Sequence, residues 1–352
     1  MGEMRQNKIT KQWVIYAPHR KARPHDFCNH NSLEKDLPRF DPCCPFCPGN
    51  EKMLPSIIHE IPPIGERHSE TTSETNTKSS EKNKGRGLPE WQTRVVPNKY
   101  PALNPEDTSE GCTSGLCRKL GGYGYHEVII ESPQHNTDLS KMSEKEIEQV
   151  LHTYKHQYST IMQDPNIICT ILFRNHGNRA GASLHHPHSQ LIACAVVPGF
   201  VRARETESEH YYEENGSCIV CDMLKAETRS HQRVLLLNNS FCAIVPFAAE
   251  VPFEIWIIPR RHQADFASIT EEEISELSPC LKNLLGMLYQ KLNDPHYNFI
   301  INTCSRFRKE GPQVHWYIQI RPRLTTPAGF EIGSGIHINP SIPEEDAAYL
   351  LS

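Results

Sequence analysis

The sequence predicts an α+β protein made of two copies of one unit, each an antiparallel sheet with one long helix. Three observations carry this reading. Short β-branched runs alternate with just two long helical patterns. A C-x-x-C pair occurs once in each half, at Cys44/Cys47 and at Cys218/Cys221. The signals that follow each pair come in the same order: strand, post-strand histidine, capped helix, Asp-Pro stop, strand, H-x-x-x-Q. His135 to Pro165 spans 30 positions and His262 to Pro295 spans 33, while Pro165 to His186 spans 21 and Pro295 to His315 spans 20. At 352 residues the chain exceeds what one core usually takes, so two domains are expected, 1–197 and 198–352.

Composition narrows the classes. A net charge of −5, with no basic tract, argues against a nucleic-acid-binding face. No apolar run is long enough to span a bilayer, and residues 1–8 are polar, without a signal-peptide core. Gly2 is followed by Gln6 where a myristoylation signal has Ser or Thr. Thirteen cysteines is an odd count, and two C-x-x-C pairs in a chain without a signal sequence fit metal ligation better than a disulfide framework. A cytoplasmic, reduced protein is expected.

In chain order, Trp13-Val14-Ile15-Tyr16 reads as a strand that runs into a basic turn carrying Arg20 and Arg23. Two arginines on a turn suit a phosphate, though a solvated basic loop is as good a reading. Cys44-Pro45-Phe46-Cys47-Pro48-Gly49 is a knuckle. Its prolines and Gly49 disfavour the helix that a redox C-x-x-C would need. Residues 66–88 are rich in Ser, Thr, Glu, Lys and Asn and are predicted to be a disordered insertion; a second insertion is expected over 105–120. Between them, Arg94-Val95-Val96-Pro97-Asn98 reads as a strand entering a turn. Val128-Ile129-Ile130 is the next strand. Ser143 and Glu146 form a capping box for a helix through Ile147, Val150, Leu151 and Tyr154, which ends before Asp164-Pro165. Residues 167–173 form a strand, and a Gly-rich turn leads to His185-His186-Pro187-His188-Ser189-Gln190.

The second half gives strands at 241–245, 255–258 and 297–302, and a helix from the Thr270/Glu273 capping box toward Leu292, with an early kink expected at Pro279. It closes on His315-Trp316-Tyr317-Ile318-Gln319, an H-x-Y-x-Q.

On a strand, alternate residues share a face, so His186, His188 and Gln190 point into one space. Two nearby histidines alone would more often be a His-rich surface loop. The repeated pattern argues otherwise. Cys44, Cys47, His135 and His186 make a four-ligand set of the kind that closes around tetrahedral zinc, and Cys218, Cys221, His262 and His315 make its counterpart. Two structural zinc ions are therefore expected. With His186 on the metal, His188 is a free imidazole, able to attack phosphorus. Gln190 can donate to an oxyanion but cannot supply a proton. That combination suits displacement of a phosphate-bearing leaving group, and transfer rather than hydrolysis by two displacements on one residue.

Asn175-x-Gly177 through Gly181-Ala182-Ser183 to His186-Pro187-His188-Ser189-Gln190 resembles the active-site segment of the galactose-1-phosphate uridylyltransferase family. This family belongs to the histidine-triad superfamily and carries a duplicated unit. The Trp13-Val14-Ile15 and Pro18-His19-Arg20 opening, the Cys44-Pro45-Phe46-Cys47 knuckle and Asn98 extend the resemblance over nearly the whole chain. It implies histidine-triad-like folds and a ping-pong nucleotidyltransferase with His188 nucleotidylated and Gln190 on its phosphate. Asn175, Gly181, Ala182 and Ser183 would line the nucleotide phosphates, and Arg20, Arg23 and Asn98 would help hold the nucleotide sugar. Phe330 and Gly333 would reach the site of a partner subunit, which implies a homodimer.

The Cys218/Cys221/His262/His315 set, Gly329-Phe330-Glu331-Ile332-Gly333 without a preceding lysine, and Ile338-Asn339-Pro340 look closer to the plant ADP-glucose phosphorylase branch, which moves AMP from ADP-glucose to phosphate. The resemblance leaves two donor–acceptor pairs: ADP-glucose with inorganic phosphate, or UDP-glucose with a sugar 1-phosphate. A catalytically silent zinc-stabilised nucleotide-binding module is the rival in another class. Gln190 argues against a histidine-triad hydrolase, and the knuckles against a diadenosine-polyphosphate phosphorylase.

Overall fold

Period-two alternation of apolar residues forces each strand to bury two unlike faces, and the chain meets that demand with two long helices on one side and the segments carrying the two cysteine pairs on the other. The computed structural model describes residues 2–22, 37–63 and 91–352; Arg23 and the insertion expected at 66–88 lie outside them. The strands of the first half are β1 (Glu3–Gln6), β2 (Trp13–Tyr16), β3 (His59–Ile61), β4 (Thr93–Pro97), β5 (Gly111–Ser114), β6 (Cys117–Leu120) and β7 (Gly124–Ile130). Helix α1 (Glu144–Ile161), β8 (Cys169–His176) and β9 (His188–Cys194) follow. Then come α2 (Gly199–Asn215), α3 (Ile219–Ser230), β10 (Val234–Leu237), β11 (Phe241–Ile244) and β12 (Ile255–Pro259). The chain ends with α4 (Glu271–Leu292), β13 (Tyr297–Asn302), β14 (Tyr317–Pro322), α5 (Gly329–Ser334), β15 (His337–Asn339) and α6 (Pro343–Leu351).

Ten of these strands form one antiparallel sheet, ordered β10-β11-β12-β14-β13-β8-β9-β7-β4-β3. The two sheets expected for the two halves are thus joined: β8 and β13 pair edge to edge, with Tyr297 opposite His176 and Ile301 opposite Leu172. Periodicity marks a strand but not its neighbour across a half-chain boundary, so this join was not visible beforehand. A separate three-stranded sheet holds β1, β2 and β15. The stretch expected as an insertion at 105–120 contains the exposed β5–β6 hairpin.

Both predicted capping boxes form: Ser143 Oγ accepts from the Glu146 N–H, and Thr270 Oγ1 from the Glu273 N–H. Helix α4 runs on through Pro279. Helices α1 and α4 lie together on one face of the sheet over Val95, Ile129, Leu172, Leu191, Ile257 and Ile318. The intervening residues face the other way. Val96, Val128 and Ile130 pack with Cys44, Phe46 and Cys47, and Cys242, Ile244, Trp256 and Ile258 pack with Cys218, Ile219 and Leu224.

Helix α2 gave no amphipathic signal because its inward side, apart from Val201, is polar. Arg204 is buried and donates to Asn302 Oδ1 at 2.7 Å and to the Thr303 carbonyl at 2.6 Å, and Glu205 accepts from the Ser305 N–H.

Glu127 lies on the helix face of β7, buried, and accepts from Gln157 Nε2 at 2.6 Å. Burial pushes its carboxyl up to about 7, against the opposing bond from Gln157. An acid raised in the folded state loses stability as pH climbs through the range between its unfolded and folded values. Glu127→Gln is expected to match the parent at pH 4 and to exceed it by about 2–3 kcal/mol at pH 8 in urea unfolding.

Candidate active site and metal centres

His188 opens β9, and the register Ile130 opposite His188, Val128 opposite Gln190, fixes which face each residue takes. Leu191 and Ala193 join the helix-side core, so His188 and Gln190 face the knuckle side. His186 and His188 are both buried, which removes the surface-loop reading, whereas His185 is exposed.

The His188 Nδ1–H donates to the His186 carbonyl at 2.8 Å, which leaves Nε2 as the ring's lone-pair nitrogen. Burial holds this imidazole below its ordinary range, hence neutral. Phe46, from the first knuckle, meets the His188 ring edge-on at 5.4 Å and the His186 ring at 5.9 Å. Beside His188 opens a cavity of about 150 Å³, whose lining includes Asn175, Gly177, Ala182, Ser183 and Asp138. Gly177 sits at φ +81, and a Cβ there would stand 2.2 Å from His296 Nδ1, so only glycine allows this turn.

Of the predicted phosphate-site residues, Asn175, Ala182 and Ser183 therefore share the cavity with His188. Gly181, at φ +93, turns the chain between them, with Asn175 Nδ2 3.5 Å from where its Cβ would be. Asn98 and Gln190 meet each other instead, Nδ2 to Oε1 at 3.5 Å. Arg20 stands on a 3-10 turn (Pro18–Ala22) and does not line the cavity; neither do Phe330 and Gly333, which lie on α5, where Phe330 and Ile332 are exposed.

Both predicted metal sets converge. In each, one ligand atom from every residue lies within 4.8 Å of the others. His186 Nδ1 is 3.7 Å from Cys44 Sγ and 3.6 Å from Cys47 Sγ, and His135 Nδ1 is 3.5 Å from Cys47 Sγ. Cys221 Sγ lies 3.3 Å from His262 Nδ1 and 3.4 Å from His315 Nδ1. A tetrahedron with zinc–sulfur and zinc–nitrogen bonds has S···N edges of about 3.5 Å. The His186 Nε2–H donates to the Ser132 carbonyl at 2.7 Å, which turns the Nδ1 lone pair toward the cysteines, the outer-shell arrangement that metal-bound histidines use. Burial pushes the Cys44 thiol up to about 12 and holds His186 down at about 3. Bare, the first set is four neutral groups; a divalent cation would convert the thiols to thiolates. The donor set fits zinc. The second pair does not form a knuckle like the first: Cys218 caps helix α3 and Cys221 sits in its first turn.

Sequence reasoning missed the residues beneath His188. Glu131, fully buried at the end of β7, receives the Arg174 Nε–H at 2.9 Å, the Tyr154 hydroxyl at 2.6 Å and the Ser189 hydroxyl. Its own N–H donates to the Pro187 carbonyl at 3.1 Å, which ties β7 to the histidine motif. Burial works against the Arg174 charge, but Glu131 more than offsets it and holds the guanidinium protonated. A charged residue inside each of two apolar runs, Arg174 and Glu131, was the available signal.

Against known families, residues 1–58 and 75–198 match the galactose-1-phosphate uridyl transferase N-terminal domain, and 204–350 match its C-terminal domain. The chain belongs to the galactose-1-phosphate uridylyltransferase family. Within that family it is 37% identical to ADP-glucose phosphorylase of Arabidopsis thaliana, over 98% of this chain and 91% of that one. It is 27% identical to galactose-1-phosphate uridylyltransferase of Thermotoga maritima, over 99% and 98% of the two. Among solved structures it resembles an Arabidopsis thaliana ADP-glucose phosphorylase with bound ADP-glucose, at a TM-score of 0.80 and 32% identity, covering 100% of this chain and 98% of that. A uridylyltransferase structure matches at 0.72 and 27% identity, over 100% and 97%. No helix among the described residues is long and apolar enough to cross a membrane.

Removing one side of the Glu131–Arg174 pair leaves a buried charge unmatched. Arg174→Met is expected to cost about 3–5 kcal/mol in urea unfolding, and adding Glu131→Gln to it should recover part of that loss.

Proposed function

We propose that this chain is a nucleotidyltransferase that works by two displacements on His188, with ADP-glucose as donor and inorganic phosphate as acceptor. One observation carries the reading: His188 has its Nδ1 tied to the His186 carbonyl and its Nε2 lone pair free beside a cavity. Nε2 attacks the α-phosphorus; the P–N bond forms as the bond to the bridging oxygen breaks, and glucose 1-phosphate departs with that electron pair. A phosphate oxygen then attacks the same phosphorus, the P–N bond breaks, ADP leaves and His188 is restored. Glucose 1-phosphate is stable as an anion near neutrality, and in the second step the imidazole departs as a neutral ring, so no strong general acid is required. Gln190 donates to a non-bridging oxygen as charge builds, and Asn175, Ala182 and Ser183 hold the phosphates. The family, together with the 37% identity to a named ADP-glucose phosphorylase, supports this assignment. UDP-glucose with a sugar 1-phosphate is the second reading, favoured by the other named relatives.

Each Cys₂His₂ set holds one zinc ion in this reading, which locks a knuckle or helix end to the sheet as a structural clip. The two halves, 1–197 and 198–352, are copies of one histidine-triad-like unit. The register supports this: Gln190 opposes Val128 as Gln319 opposes Trp256, and β9 and β14 each abut the strand that joins the halves. In the second copy Tyr317 takes the place of His188. The protein acts as a homodimer in which Arg20, Arg23 and Asn98 help hold the nucleotide sugar and Phe330 and Gly333 complete the neighbouring subunit's site. The exposure of Phe330 and Ile332 on α5 supports this.

ADP-glucose labelled at the α-phosphorus is expected to leave acid-labile label on the protein, released as ADP by added phosphate. His188→Asn should abolish labelling while still binding the nucleotide sugar. Reversible binding without label in the parent chain would leave the silent nucleotide-binding module as the reading. Labelling by UDP-glucose but not ADP-glucose would transfer the assignment to the uridylyl reaction.

Elemental analysis should find two zinc per chain. Cys47→Ser is expected to reduce this to one and to lower the melting temperature by more than about 5 °C.

A further inference from the structure

We infer that His126, on the strand beside the active one, sets which way the Gln190 amide faces and so decides whether that glutamine offers a donor. The inference rests on the nucleotidyl-transfer reading of His188 and adds a positioning residue to it.

The argument starts from a backbone group. The Ala102 N–H donates to His126 Nδ1 at 3.1 Å, so Nδ1 is the bare nitrogen and Nε2 carries the proton. That Nε2–H lies 2.9 Å from Gln190 Oε1. Asn98 is oriented in the same manner. Its Oδ1 accepts from the Tyr100 N–H at 2.9 Å, so its Nδ2 is the end near Gln190 Oε1, at 3.5 Å. Asn98 Nδ2 also lies 3.1 Å from His126 Nε2, but a protonated ring nitrogen cannot accept, so both donors serve the Gln190 oxygen. The Gln190 amide is therefore turned with its oxygen inward. Its NH₂ group has no partner among the described residues and stands on the face of β9 that carries His188.

The other half of the chain shows the opposite arrangement. Gln319 opposes Trp256 as Gln190 opposes Val128, so two positions earlier Glu254 occupies the place of His126. Glu254 accepts from Gln319 Nε2 at 2.7 Å, and Asn302 Nδ2 donates to Gln319 Oε1 at 3.3 Å. This amide has spent its NH₂ inside the protein. Tyr317, in the place of His188, stacks on Trp256 at 4.5 Å and is buried. A carboxylate at this strand position thus consumes the glutamine's donor, and a Nε2-protonated imidazole frees it for an oxyanion.

The test is single-turnover labelling with α-phosphorus-labelled ADP-glucose and UDP-glucose, on the full chain and its variants. His126→Phe is expected to slow label formation about 10-fold, with the apparent dissociation constant of the donor within about 2-fold, because an oxyanion donor is lost rather than ground-state binding. His126→Gln, which keeps a neutral donor of similar reach, should stay within about 3-fold of the parent. In the Gln190→Ala background, His126→Phe should cost nothing further, since there is no amide left to orient. Equal rates for His126→Phe and the parent would overturn the inference. So would an equal loss in both backgrounds, because His126 would then only support the turn at Ala102. Nitrogen-15 spectra of the histidine rings give an answer that does not need turnover: His126 protonated on Nε2 agrees with the inference, and protonation on Nδ1 overturns it. If the parent takes no label from either sugar nucleotide, the transfer reading falls and these spectra alone decide the placement of His126.

Discussion

The 2.8 Å bond from His188 Nδ1–H to the His186 carbonyl is the contact on which the rest of this site depends. It fixes one tautomer and so determines which nitrogen is available. The carbonyl it uses is itself held on several sides. His186 donates through Nε2 to the Ser132 carbonyl and presents Nδ1 to two cysteines. Pro187 accepts from the Glu131 N–H, and Ser189 donates to the Glu131 carboxylate. His186, Pro187 and Ser189, which flank that imidazole, are thereby anchored to a knuckle on one face of the sheet and to a buried ion pair on the other. The backbone alone orients this imidazole, with no side-chain acid or base among the described residues holding its Nδ1.

The same sheet face is open in one half of the chain and filled in the other. Both halves carry a glutamine four positions beyond a histidine of a Cys/His cluster, at His186/Gln190 and His315/Gln319. In the first half a cavity opens beside His188, lined in part by Gly177, and Phe46 meets the His188 ring edge-on. In the second the face is filled by the Trp256–Tyr317 stack, and arginines enter: Arg204 reaches Asn302, and Arg321 pairs with Glu250. The filled half is thus packed and charge-paired, and the β8–β13 seam joins it to the open one.

Much of this was legible beforehand because the chemistry is local. Alternation placed His186, His188 and Gln190 on one face, capping boxes marked α1 and α4, and C-x-x-C spacing marked both cysteine pairs. The parts that stayed hidden share a cause: they depend on partners far apart in the chain. The β8–β13 pairing joins residues about 125 positions apart, as His176 opposite Tyr297 illustrates. The inward side of α2 is Val201 followed by Arg204, Glu205 and Ser208, so hydrophobic period says little of it. His126 reads as an unremarkable strand residue until the turn at Ala102 folds back onto its ring.

The β8–β13 seam also bears on how the chain is made. Strand β8 is complete by His176, but its partner edge is not synthesised until residue 302. Through the emergence of that intervening stretch at the ribosome, an eight-residue strand with alternating apolar side chains presents unpaired N–H and C=O groups to solvent. Such an edge invites pairing between nascent chains, so yield in the cell will depend on how fast the second half arrives and on what shields the first until it does.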